Sequence, residues 1–93
     1  MPRKNFPVNV VGPQIRKVRY QLGLSQSQMA ARCQMAGFDI SRSTLGQIEI
    51  CFRYVSDEEL LVLASVLKVA LEDLYPQDWR RHLRNKLLKR KRH

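Results

Sequence analysis

Between Pro13 and Ser56 the chain carries a dense series of helix start and stop signals, and these leave little room for any architecture but a helical one. Pro13 suits a first helical turn, where its fixed φ and missing N–H cost nothing. Ile15, Val18 and Leu22 follow at i, i+3 and i+7, forming one apolar stripe. Gly23 stands where a left-handed residue would end that helix. Ser25 and Gln28 have capping-box spacing, so a second helix opens there. Its inward stripe is Met29, Ala30 and Cys33, and Gly37 ends it. Phe38 and Ile40 flank Asp39 in a turn, and Ser41 caps a third helix with Leu45 and Ile48 turned inward. Ser56 and Glu59 make a second capping box, with Asp57, Glu58 and Glu59 at the positive end of the helix dipole. The stripe of that fourth helix is Leu60, Leu63, Ala64 and Leu67.

Lys68-Val69 interrupts the pattern. Leu71, Leu74 and Tyr75 read as a short fifth helix stopped by Pro76. Asp78 then caps a last segment in which Trp79, Leu83 and Leu87 share a face. The expected fold is all-α: five helices over residues 13–76, an irregular arm at 1–12, and a basic helical extension at 77–93.

Charge is distributed as unevenly as structure. Residues 1–77 hold nine Lys/Arg and seven Asp/Glu (9 − 7 = +2), whereas residues 78–93 hold eight and one (8 − 1 = +7). The body is close to neutral and the tail is a basic arm. Such an arm suits a polyanion: nucleic acid first, an anionic membrane surface second. It also has a plain reading, a solvated extension that binds nothing.

Chemistry other than binding finds no support in the sequence. There is no Ser/His/Asp grouping, no phosphate-binding Gly-rich loop and no metal-ligand spacing, and both histidines, His82 and His93, fall in the tail. Cys33 and Cys51 have no neighbouring His and no CxxC partner, so reduced thiols are expected. The N-terminal apolar run is cut by Pro7, Asn9, Gly12 and Pro13, which is not the form of a secretory signal. Leu60–Leu67, the longest apolar stretch, is too short to span a bilayer. The expectation is a cytoplasmic, non-enzymatic protein without cofactor, metal or membrane contact.

The third helix carries the functional expectation. Arg42, Ser43, Gly46 and Gln47 share one polar face at helical spacing. A helix held on two others, with such a face outward, has the shape that enters the major groove of DNA. Arg42 offers a planar fork for guanine O6 and N7, and Gln47 can bind adenine N6 and N7 in the same bidentate manner. Ser43 and Thr44 are short enough to meet a base or a phosphate. Gln26, at the start of the second helix, sits where free amides favour an anion.

The ordered set Ile15-Arg16-x-x-Arg19, Gly23-Leu24-Ser25-Gln26, Met29-Ala30, Ile40-Ser41-Arg42-Ser43-Thr44-Leu45, Ile48-Glu49, Leu60-x-x-Leu63-Ala64-x-x-Leu67-x-Val69 and Leu74 resembles the phage-repressor/Cro type of helix-turn-helix domain over about residues 13–76. The resemblance implies a five-helix DNA-binding regulator of repressor type. It implies that Arg42, Ser43 and Gln47 read bases in double-stranded DNA, and that Gln26 and Arg53 meet phosphates; the short Thr44 is expected to join them as a phosphate contact. It also implies a scaffold salt bridge between Arg19 and Glu49. Arg80, Arg81, Arg84 and Lys86 of the tail lie outside the shared domain and are expected to add non-specific nucleic-acid contact.

The turn between the second and third helices is longer than in the shortest members of the family. Cys51 stands where the family commonly has Gly; a left-handed backbone there would strain it. Such domains commonly form homodimers. A second class of reading makes the domain an antitoxin-like or other protein-interaction module, with a toxin-type partner docking on Ile50, Phe52, Tyr54, Trp79 and Leu83. A third assigns RNA binding to the tail.

Overall fold

The computed structural model describes residues 7–81, 83 and 84. These form four α-helices, α1 (Gly12–Gln21), α2 (Gln26–Met35), α3 (Arg42–Glu49) and α4 (Asp57–Leu67), then a 3₁₀ helix at Leu71–Leu74. No strand occurs among the described residues. The fifth expected helix is thus a single tight turn rather than an α-helix, for a chain stopped by Pro76 has too few residues to propagate one.

The caps follow the sequence signals. Ser25 Oγ accepts from Gln28 N at 3.0 Å, and Gln28 Oε1 accepts from Ser25 N at 2.8 Å. Ser56 and Glu59 close the same reciprocal box at 3.1 Å in each direction. Ser41 Oγ accepts from Thr44 N at 3.0 Å and donates to Thr44 Oγ1 at 2.9 Å. Gly23 (φ 71°) turns the chain between α1 and α2 in the left-handed region.

Ile15, Met29, Cys33, Leu45, Ile48, Leu63 and Leu74 are fully buried and form one core drawn from every helix. Full burial of each large aliphatic chain contributes about 1.5–3 kcal/mol. One stripe residue departs from expectation. Leu22 is 46% exposed, and Leu24, 8% exposed, fills the core beside α1 instead. Leu22 is the C-cap of α1 and the reversal at Gly23 points it to solvent, so periodicity extended one residue past the cap fails.

The start of the chain is better anchored than its two prolines suggest. Residues 7–11 are irregular, yet Asn9 joins three segments at once. Its Oδ1 accepts from Val11 N and Gly12 N at 3.1 and 2.9 Å. Its Nδ2 donates to Ile48 O and Arg53 O at 3.1 and 2.8 Å. Val8 N also donates to Cys51 O at 3.0 Å. Val11 is 4% exposed in the core. Gly12 allows this closeness, since a Cβ there would overlap the Ile48 carbonyl oxygen and lie 2.8 Å from that of Glu49. The beginning of α1 is therefore pinned to the end of α3.

Candidate nucleic-acid interface

The inner side of α3 is fixed by apolar packing and by charge. Leu45 and Ile48 are 0% exposed. Beside them Arg19 Nε donates to Glu49 Oε2 at 2.6 Å and Arg19 Nη2 to Glu49 Oε1 at 2.9 Å, a forked pair. Arg19 Nη1 donates to Leu24 O at 2.8 Å, and Gln26 Nε2 donates to Glu49 Oε1 at 3.1 Å. Arg19 and Glu49 are each 4% exposed, and no buried side-chain nitrogen or oxygen among the described residues lacks a partner. The hydrogen bonds to Glu49 drive the Arg19 pKa upward against the desolvation that opposes it. One cluster thus joins α1, the start of α2 and the last residue of α3, and sets the angle of α3.

The outer side differs in kind. Arg42, Ser43 and Gln47 are exposed, and none has a side-chain hydrogen bond or ion pair with another described residue. Thr44 is half-buried and its hydroxyl belongs to the Ser41 cap. Gly46 faces the Gln26 side chain, with Gln26 Nε2 3.5 Å from where a Cβ would stand, so alanine would fit there in ordinary contact.

Of the site residues expected from sequence, Arg19, Gln26, Arg42 and Glu49 border one cleft of about 470 Å³. Arg16, Tyr20 and Ser27 border it too, and sequence reasoning did not select them. Arg16 Nη2 reaches Tyr20 Oη at 3.5 Å, and the Arg16 and Arg19 guanidinium groups lie 5.4 and 4.7 Å from the Tyr20 ring centre. Arg16 in particular pulls the Tyr20 phenol below its usual pKa. The signal was present as an i, i+4 Arg/Tyr pair on the exposed side of α1, one turn apart. The cleft therefore presents two exposed guanidinium groups, Arg16 and Arg42, beside the N-terminal turn of α2, an arrangement suited to a phosphate.

Arg53 lies apart from that cleft. Its Nη1 and Nη2 donate to the Glu59 carboxylate at 3.0 and 3.1 Å, and Nη1 also to Tyr54 O at 2.9 Å. This pairing holds the Glu59 carboxyl below the ordinary carboxylate range. In the tail, residues 79–81, 83 and 84 are helical, and Arg80, Arg81 and Arg84 are exposed. The Arg80 guanidinium stacks 4.8 Å from the Trp79 ring centre. Lys86 lies outside the described residues. Trp79 and Leu83 line a second, apolar groove with Val10, Leu71 and Tyr75. Cys33 and Cys51 are free thiols, and burial pushes both up in pKa. Cys51 has φ 65°, the left-handed backbone anticipated from its place after Ile-Glu. No described helix is long and apolar enough to cross a membrane, and no metal-binding group of side chains occurs among the described residues.

Residues 15–74 match the family model described as helix-turn-helix. The chain belongs to the Cro/C1-type helix-turn-helix family, a family of DNA-binding transcriptional regulators. Among solved structures it is similar to the restriction-modification controller protein C.AhdI from Aeromonas hydrophila, with 30% sequence identity and a TM-score of 0.63 over 74% of this chain and 96% of that one. It is similar in fold to the DNA-binding domain of BldD, with 23% identity and a TM-score of 0.63 over 80% of this chain and 100% of that one. No curated protein sequence matches the chain.

Proposed function

We propose that the protein is a sequence-specific repressor-type regulator that acts in the cytoplasm by binding double-stranded DNA, with α3 in the major groove. The observation that carries this reading is the contrast within α3, an inner face locked by a buried ion pair and an outer face whose side chains have no partner of their own among the described residues. Arg42 would bind guanine through its fork, Gln47 adenine through its amide, and Ser43 the adjoining base edge. Gln26 and Thr44 would steady the flanking phosphates, with Arg16 beside them. Arg53 would join them only by leaving Glu59. Arg80, Arg81, Arg84 and Lys86 would add sequence-blind, salt-sensitive affinity.

Three kinds of small regulator fit: an antitoxin-like autoregulator, a phage-type repressor and a restriction-modification controller. The 30% identity to C.AhdI favours the last. Selection of bound duplexes from a random pool at two salt concentrations tests the assignment. Arg42→Ala and Gln47→Ala should each relax preference at one position, by about 1–3 kcal/mol of discrimination. Arg81→Ala should weaken all sequences alike and lower the salt slope by about one unit. If the preferred sequence survives both α3 changes and disappears with the tail change, the roles are the reverse of those proposed.

A further inference from the structure

The apolar groove at the end of the domain lies outside the α3 site. Seven residues line it, among them Val10 from the start of the chain, Leu71, Glu72 and Tyr75 from the 3₁₀ turn and its end, and Trp79 and Leu83 from the helical extension. Its volume is about 430 Å³. That falls within the range of small-molecule sites, roughly 300–1,000 Å³. A stable protein interface uses roughly 20–30 residues a side, so the groove has the size of a small ligand rather than of another chain. Leu71, Trp79 and Leu83 remain 37%, 41% and 42% exposed although they line it. A large aromatic and two leucines left half in water around one groove mark a binding surface.

The chemistry of the walls decides what kind of ligand. Glu72 is the one charged side chain among the lining residues, and it forms no ion pair with another described residue. A neutral occupant would strip water from that carboxylate and return nothing, and an anionic one would add repulsion. A cation compensates it. Tyr75 and Trp79 offer ring faces, whose quadrupoles attract positive charge. Trp79 already shows the preference, with the Arg80 guanidinium 4.8 Å from its ring centre. Val10, Leu71 and Leu83 are hydrocarbon and call for an apolar body. A primary ammonium has three N–H donors to satisfy, and the walls hold a single charged acceptor. A quaternary ammonium has no donors and needs only ring faces and a counter-charge.

We propose that this groove binds a lipophilic organic cation, an apolar body carrying one quaternary ammonium. The charge lies among Glu72, Tyr75 and Trp79, and the body lies on Val10, Leu71 and Leu83. Such a ligand touches the domain and the helical extension together, so its binding fastens the basic extension to the body. The DNA reading above is not needed for this assignment, because no residue of α3 lines the groove.

Calorimetric titration of the full chain with benzyltrimethylammonium tests the proposal. Its uncharged isostere, neopentylbenzene, and the anion phenylacetate are run alongside. The cation should bind saturably at one site per chain, about tenfold or more tighter than either control. It should also change the emission of Trp79, the only tryptophan. Glu72→Gln should weaken the cation about tenfold and erase its advantage over the isostere. Trp79→Leu keeps hydrocarbon at the wall but removes the ring, and should weaken the cation by a similar factor. Circular dichroism of both variants should match the wild type. Absence of saturable binding overturns the proposal. So does equal affinity for cation and isostere, or a Glu72→Gln variant that binds as the wild type does. Sedimentation equilibrium at the same concentrations supplies one more outcome: a second copy that covers the groove and excludes the cation also overturns it. Base selection by α3 is measured without the cation, so the DNA reading and this one fail separately.

Discussion

The two sides of α3 both carry polar side chains but use them in opposite ways. Inside, a charged side chain, Glu49, is taken out of water and accepts three hydrogen bonds, two from Arg19 and one from Gln26. Outside, Arg42 and Gln47 are left in water with no partner among the described residues. A forked arginine–carboxylate pair is specific about direction, so burying one fixes the helix axis as well as its depth. An exposed arginine or glutamine keeps its donors and acceptors free for a base edge. The side chains that orient α3 are thus distinct from those that the proposed readout would use, and each set can be changed without the other.

The largest expected effect tests the inner side. Glu49→Ala leaves the Arg19 guanidinium buried without its counter-charge and should destabilise the fold by about 3–5 kcal/mol. That is a large share of the ~5–15 kcal/mol available to a small domain. Urea denaturation measures it. Arg42→Ala and Gln47→Ala, run alongside, should leave the midpoint in place, since surface changes of this kind stay within ~0.5 kcal/mol. Equal losses for inner and outer substitutions would break the contrast.

Gly12→Ala attacks the same inner side from the other end. The new methyl meets backbone carbonyl oxygens of Ile48 and Glu49, which cannot rotate away as a side-chain tip can. Either α1 or the end of α3 must shift, at about 1–3 kcal/mol. The expected result is a lower thermal midpoint together with weaker DNA binding, because the displaced element is the one that carries Glu49. Unchanged stability would mean that the arm and α3 are not held as closely as the Asn9 and Gly12 contacts indicate.

The Arg53–Glu59 pair sharpens the comparison by repeating its chemistry nearer the surface, with side chains 31% and 25% exposed. Arg53 lowers the folded pKa of Glu59, so the folded state favours the carboxylate. Its stabilisation is therefore fully present above the unfolded value, about 4.3, and is lost as pH falls through the lower folded value. Glu59→Gln should cost about 1 kcal/mol or less at neutral pH and should flatten the acid limb of the stability profile. An acid limb identical to wild type would assign that limb to other carboxylates.

Much of this was legible before any coordinates, for a physical reason: helix ends are local. Ser25, Ser41 and Ser56 cap with residues three positions away, and the chain shows both members. The partners of α3 were readable only in part. Arg19 and Glu49 stand 30 positions apart, and resemblance rather than spacing joined them. Asn9 bonds across 39 and 44 positions to backbone carbonyls, which leave no trace in the residue type of the acceptor. The resemblance assigns Arg53 to phosphate, and a match of that kind does not show its intramolecular partner Glu59. The cleft residues Arg16 and Tyr20 were visible as a pair, but nothing local told which direction they face.

The smallest effect concerns the residue that ends α3. Cys51 has φ 65°, and its N–H donates to Ile48 O at 3.0 Å. A residue with a Cβ in this region costs about 1–2 kcal/mol relative to one without, and the hydrogen bond does not require a side chain. Cys51→Gly should therefore remove strain. It also raises the entropy of the unfolded chain, which offsets part of the gain, and it exposes neighbours that the half-buried thiol now covers. The net expectation is a stabilisation of about 0.5–1 kcal/mol, read as a rise in thermal midpoint. DNA preference should not change, because Cys51 lies beyond the outer-face residues of α3. A loss of stability would show that the thiol's packing outweighs the strain, and that the end of α3 is held by its side chain as much as by its backbone.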